Sequence, residues 1–81
     1  MTKKTINQPV HVSAVTFDRQ FEPVPRRIEF EGRTLTFISQ GIRLLIKSNG
    51  HMTRLWDMCD GEAYYRLRRD DGAWTLVTIS R

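Results

Sequence analysis

Three signals for a two-residue reverse turn, Glu31-Gly32, Asn49-Gly50 and Asp71-Gly72, punctuate this 81-residue sequence from residue 26 onward. Gly after Asn or Asp suits a type I′ turn, in which both central residues take positive φ and the chain returns as a β-hairpin. Each signal can be tested for parity, because pairing outward from the turn either gathers the apolar residues on one face or scatters them. Around Glu31-Gly32 the opposed pairs are Phe30 with Arg33, Ile28 with Leu35, and Arg26 with Phe37, so Ile28, Phe30, Leu35 and Phe37 share a face. Around Asn49-Gly50, Leu44 opposes Leu55 and Ile46 opposes Thr53, which gathers Ile42, Leu44, Ile46 and Leu55 on one side and Arg43, Lys47, Arg54 and Trp56 on the other, with Leu45 and Met52 among them. A helix over 42–48 is the rival, but it would run barely two turns into the same Asn-Gly, so a strand is expected. The last hairpin spans Glu62 to Arg69 and Ala73 to Ser80, with Tyr65, Leu67, Trp74 and Leu76 on one face and Tyr64, Arg66, Arg68, Val77 and Ile79 on the other. A two-residue loop and a bulged turn at Asp70-Asp71-Gly72 give the same faces.

Residues 1–9 are polar, aperiodic and end in Pro9, which reads as a loose tail ahead of a single domain over 10–81. Val10 to Phe17 is a leading strand with apolar residues on both faces, as expected in a closed barrel or at a dimer seam. Asp18 to Pro25, with Pro23 and Pro25 two apart, reads as a loop in which Phe21 and Val24 tuck against the core. Asp57 to Gly61 has turn composition. The fold expected is all-β, with six to seven short antiparallel strands. At this length the sheet must curl to make one core and hide its edges, so a small SH3-like or OB-like barrel, or a strongly curled sheet, is expected. Glycines at 32, 41, 50, 61 and 72 keep a strand-and-turn rhythm; a phosphate loop needs them clustered before a helix.

Composition narrows the setting. An apolar content of 40% with eight aromatics is that of a folding chain. No apolar run approaches the roughly 18 to 20 residues that span a bilayer, the basic start lacks an apolar signal region, and the single Cys59 cannot form an internal disulfide. The expectation is a soluble cytoplasmic protein without membrane contact. A small domain buries only about 60% of its unfolded surface, so pairing into a homo-oligomer would add stability.

Pro25, Ile28, Phe30 and Gly32-Arg33, followed by Tyr65-Arg66-Leu67-Arg68 and Trp74-x-Leu76, resemble a small uncharacterised bacterial all-β domain family with a Pro-led strand, a Gly-Arg hairpin and a terminal Tyr-Arg/Trp hairpin. The resemblance covers roughly residues 23–80. Its members lack an assigned activity and some lie near DNA damage-tolerance genes, which implies a bacterial cytoplasmic setting and no residue roles.

The chemistry of an enzyme is missing from the motifs. His11 and His51 stand forty residues apart, no C-x-x-C or H-x-x-x-H occurs, and no serine has a nucleophile-elbow context. His51 and Cys59 with Asp57 or Asp60 could meet, but carboxylates raise a thiol pKa rather than activate it. No catalytic residue, metal or cofactor is expected. What remains is a net charge of +4, from 13 basic and 9 acidic residues, sorted so that acids sit near turns and arginines on strands. Arg43, Lys47, Arg54, Trp56, Tyr64, Arg66 and Arg68 thereby become the candidate surface. Interleaved rings and cations can stack bases and hold phosphates, which points to a binding module for nucleic acid or an acidic protein. The same residues serve as structural cation–π pairs or as the hot spots of a protein interface or self-assembling domain, with Leu45, Met52, Val77 and Ile79 buried against the partner.

Overall fold

Residues 2–81 are described by a computed structural model, and all the regular structure among them is β. Seven strands follow in chain order: β1 (Lys3–Phe17), β2 (Pro23–Phe30), β3 (Arg33–Thr36), β4 (Ile42–Ser48), β5 (His51–Cys59), β6 (Tyr64–Asp70) and β7 (Ala73–Ser80). They form one sheet in the order β3-β2-β1-β7-β6-β5-β4, every neighbour antiparallel. The all-β class and the strand number match the sequence reading. The sheet is curled rather than closed into a barrel, with β3 and β4 as its two edges.

The three turns form where their residues require. Glu31, Asn49 and Asp71 have φ of 51°, 50° and 49°, each followed by a glycine at 72° to 84°, so all three hairpins close on two-residue loops. The expected pairs Phe30–Arg33, Ile28–Leu35, Leu44–Leu55 and Ile46–Thr53 are all present.

Two segments depart from expectation. Lys3 to Pro9, read as a loose tail, form the first half of β1 and pair with β7 through Lys3–Ser80 to Pro9–Thr75. Their polar composition fits a strand mostly open to water, with only Ile6 packed on the core. Pro23 and Pro25, read as loop, lie in β2. Pro23 is the first residue of its strand, and Pro25 lies beside the double register shift of β1 around Ala14, the places where a ladder tolerates a missing N–H. Of the two loop residues expected in the core, Val24 is buried whereas Phe21 is 84% exposed.

Irregularities in β1 and β7 decide which side chains face inward. Arg66 pairs with Thr78 and Leu67 with Leu76, leaving Val77 without a partner on β6. On the other side Thr5 pairs with Thr78 and Gln8 with Leu76, so Ile6 and Asn7 oppose Val77 alone, and Asn7 takes φ of 51°. An unpaired residue reverses the alternation beyond it. Ile79, expected on the outer face with Arg66, therefore stands beside Tyr65 and packs on the core with Ile6.

The core lies inside the curl. Ile28, Met58, Leu67 and Leu76 are fully enclosed, joined by Val24, Leu35, Phe37, Trp56, Ala63 and Tyr65. Phe37, just beyond β3, meets Tyr65 of β6 with ring centroids 5.5 Å apart, a contact between strands far apart in the sheet. The link between β3 and β4 holds the curl. Ile38 N–H donates to the Cys59 carbonyl at 2.8 Å, Cys59 N–H donates to Ser39 Oγ at 3.0 Å, and the Arg26 guanidinium donates to the Ser39 and Phe37 carbonyls at 2.6 and 2.7 Å. Gly41 completes this link at φ 81°, with Met58 Sδ occupying the space a Cβ would need.

Gly41→Ala is therefore expected to lower the urea midpoint well beyond Gly32→Ala. Both carry the positive-φ cost of about 1 kcal/mol, but a Cβ at position 32 meets open space. Equal midpoints for the two variants would show that Met58 yields freely.

Candidate nucleic-acid or partner interface

Cross-strand partners share a face and successive residues alternate, so the registers divide the candidate surface in two. Arg43 pairs with Trp56, Trp56 with Leu67, and Arg54 with Leu45 and Arg69, which puts Arg43, Lys47, Arg54 and Trp56 on the inner, core-bearing side. Tyr64 pairs with Cys59, Arg66 with Asp57 and Arg68 with Leu55, which puts Tyr64, Arg66 and Arg68 on the outer side. The seven residues do not form one platform. The middle hairpin has the expected register but the opposite sidedness: Trp56 is 4% exposed, while Ile42 and Ile46 of the apolar stripe face water. The sheet can bury only one side, and it buries the side carrying Trp56 and Met58, continuous with Leu67 and Leu76 on the neighbouring strands.

The arginines on these strands have carboxylate partners. Asp18 caps its own loop, its Oδ1 accepting the N–H groups of Gln20 and Glu22, and its Oδ2 receives Arg43 at 3.3 Å. Arg43 also lies 5.8 Å from the Trp56 ring centroid, the structural cation–π arrangement. Arg54 and Arg69 are direct cross-strand partners, a repulsive pairing that Glu22 relieves by reaching Arg54 with one oxygen at 3.9 Å and Arg69 with the other at 3.8 Å. Arg66 meets Asp57 through two bonds of 2.8 Å, which hold the guanidinium more firmly protonated, and Arg68 meets Asp70 at 2.7 Å. Of the five cations among the seven, Lys47 alone is outside these five ion pairs among the described residues, and it is exposed.

Asp57 and Cys59, read as part of a turn, belong to β5, which is why Asp57 comes opposite Arg66. Asp57 was legible as an acid beside a turn, and Asp18 and Glu22 as part of a loop, but none of them as a partner, since a loop's reach across a curled sheet leaves no periodic trace.

On the outer side a groove of about 550 Å³ runs over β5, β6 and β7, walled by Tyr64, Cys59, Thr78 and Ser80, with the Arg66–Asp57 pair and Ile42 inside it. Tyr64 is 57% exposed there. Cys59 is a free thiol, half-buried, whose Sγ accepts the Gly61 N–H at 3.3 Å. His51, at the far end of β5, does not approach it. Among the described residues no group of His, Cys, Asp and Glu is placed to hold a metal ion, and no helix is long and apolar enough to cross a membrane. The chain matches no family model, no curated protein and no solved structure. The resemblance to a bacterial all-β family therefore rests on the residues quoted for it.

Below the groove, the Tyr65 hydroxyl donates to Asp60 Oδ2 at 2.8 Å, while Asp60 Oδ1 accepts the N–H groups of Glu62 and Ala63. Burial opposes ionisation of Asp60, but these bonds outweigh it and its carboxyl stays below its usual range. Burial, then the bond to Asp60 and its charge, push the Tyr65 hydroxyl from 10.0 to about 12. Because the folded state keeps this proton longer than the unfolded chain, the associated stability is complete below pH 10.0 and is lost as pH rises toward about 12. Tyr65→Phe is expected to flatten the fall of the urea midpoint across that window, while lowering the midpoint at neutral pH. A variant that follows the wild-type alkaline slope would assign that slope to other groups.

Proposed function

We propose that this chain is a non-enzymatic binding module whose working surface is the open β4 edge, and that the edge receives the β4 of a second copy. The observation that carries the reading is the contrast between the two edges. β3 is four residues long and mostly polar, as protected edges are, whereas β4 runs for seven residues with Ile42, Leu45 and Ile46 at 64%, 51% and 49% exposure.

Ser48 and His51 close the hairpin loop, and the antiparallel alternation from that pair turns the backbone N–H and C=O of Arg43, Leu45 and Lys47 away from β5. A second β4 added about a two-fold axis at Leu44 would set Ile42 against Ile46, Leu44 against Leu44, and Arg43 against Leu45. No two cations would oppose each other, and the outer apolar stripe flanked by Leu55 would double in width. Register about Leu45 would instead oppose Arg43 to Lys47 and is disfavoured. The curled sheet, rather than a closed SH3-like or OB-like barrel, is the form this reading needs, because closure would consume the edge.

A second reading keeps nucleic acid as the partner. It draws on exposed Tyr64 with Arg66 and Arg68 on the outer face, beside Lys3 at the groove. A base would stack on the ring, and phosphate would compete with Asp57 for Arg66.

Sedimentation velocity at roughly 50 and 300 mM salt, with and without a single-stranded oligonucleotide, separates the two. The edge reading expects a dimer at both salts, dissociated by Leu45→Pro, which removes an outward N–H and none of the β5 ladder. A wild-type monomer at the highest soluble concentration would overturn it. The nucleic-acid reading expects oligonucleotide binding only at low salt, lost in Arg66→Glu and strengthened in Asp57→Asn, which frees the guanidinium. Unchanged binding in Asp57→Asn would remove Arg66 from that surface.

A further inference from the structure

The strand arginines of β4, β5 and β6 are all matched by carboxylates, yet a second group of cations is not. Lys4 of β1, Arg33 of β3 and Arg81 come together at the end of the sheet where β1, β7 and the Glu31-Gly32 turn meet, and none of them is in an ion pair among the described residues. They surround the mouth of a cavity of about 280 Å³ whose apolar lining is Ile6, Phe30 and Ile79. The backbone bonds from Thr2 N–H to the Arg81 carbonyl and from Arg81 N–H to the Thr2 carbonyl, both 2.8 Å, extend the β1–β7 ladder along one wall. Arg33 and Arg81 both favour ionisation of the Tyr65 hydroxyl, which places these two distant residues in one field.

Two acids lie near. Asp60 is already engaged by the N–H groups of Glu62 and Ala63 and by Tyr65. Glu31 is in the turn and is the one acidic side chain among the described residues that line the cavity, beside three cationic side chains. The register shift that turns Ile6 and Ile79 inward builds the apolar floor, so the cavity and its charged mouth arise from the same irregularity.

We infer that this cavity binds a small monoanionic amphiphile, with a carboxylate head held by Lys4 and Arg33 at the mouth and an apolar body lying on Ile6, Phe30 and Ile79. The volume equals on the order of nine water molecules at liquid density, enough for about ten non-hydrogen atoms. Arginine's planar fork matches a carboxylate bidentately, and the short apolar floor favours a compact chain or ring over a long acyl tail. The inference is independent of the β4 edge, which lies on the other side of the sheet order.

The test is NMR titration of the full chain with octanoate, octanol and acetate. Octanoate is expected to shift Ile6, Phe30, Arg33 and Ile79 in a saturable manner, with Lys4→Gln and Arg33→Gln each weakening its Kd at least fivefold while leaving the other resonances in place. Both residues are exposed, so neither substitution threatens the fold. Octanol binding as tightly as octanoate would overturn the role of the cations. Acetate binding as tightly would overturn the role of the apolar floor. Shifts confined to the Tyr64 groove, or no shifts at all, would overturn the site itself.

Discussion

The pairing of β1 with β7 is the constraint on which the rest of the structure depends. The sheet order places the first and last strands side by side at its middle, so this ladder joins the β2–β3 hairpin to the run from β4 to β7. Without it Ile28, Leu35 and Phe37 would have nothing to pack against, and Trp56, Met58, Leu67 and Leu76 would lie on an open sheet. A core assembled from both ends of the chain forms only when loop closure across nearly its whole length is offset by burial on both sides.

The irregularities sit on that same ladder. Val77, matched by two residues on β1 and none on β6, turns Ile79 and Ile6 inward together and adds twist where the sheet has to curl. The link from Phe37 to Gly41 then ties the β3 side to the end of β5 through the Cys59 backbone and Ser39. Curl, core and the cavity between β1, β7 and the first hairpin turn thus have a common origin. Open edges remain because these bonds are isolated and do not extend into a ladder.

Charge follows the same geometry. The loop after β1 carries Asp18 and Glu22 to the arginines of β4, β5 and β6, while Asp57 and Asp70 serve Arg66 and Arg68. Half-exposed pairs of this kind contribute little individually, but they cancel the field that a row of arginines would otherwise project. A cluster of cations outside these pairs lies at the other end, around Lys4, Arg33 and Arg81. A basic composition therefore says little about where a basic surface is.

Much of the fold was legible in the sequence because a type I′ turn is a local matter. Asn49-Gly50 sets the register of its hairpin through φ values that two residues can satisfy alone, and the pairs outward from it follow. Parity also gathered Tyr65, Leu67 and Leu76 on one face, which is the face the structure buries. The sequence by itself could not say which side of the middle hairpin is buried, because Ile42, Leu44, Ile46 and Leu55 make as good a stripe as Trp56 and Met58. Nor could it show that Lys3 to Pro9 are a strand, that Val77 is unpaired, or that Asp57 meets Arg66. Sidedness is fixed by what the neighbouring strands present, and those neighbours come from the opposite end of the chain. The tertiary structure decided it, because apolar surface is buried where it is continuous across strands, and continuity is a property of the assembled sheet.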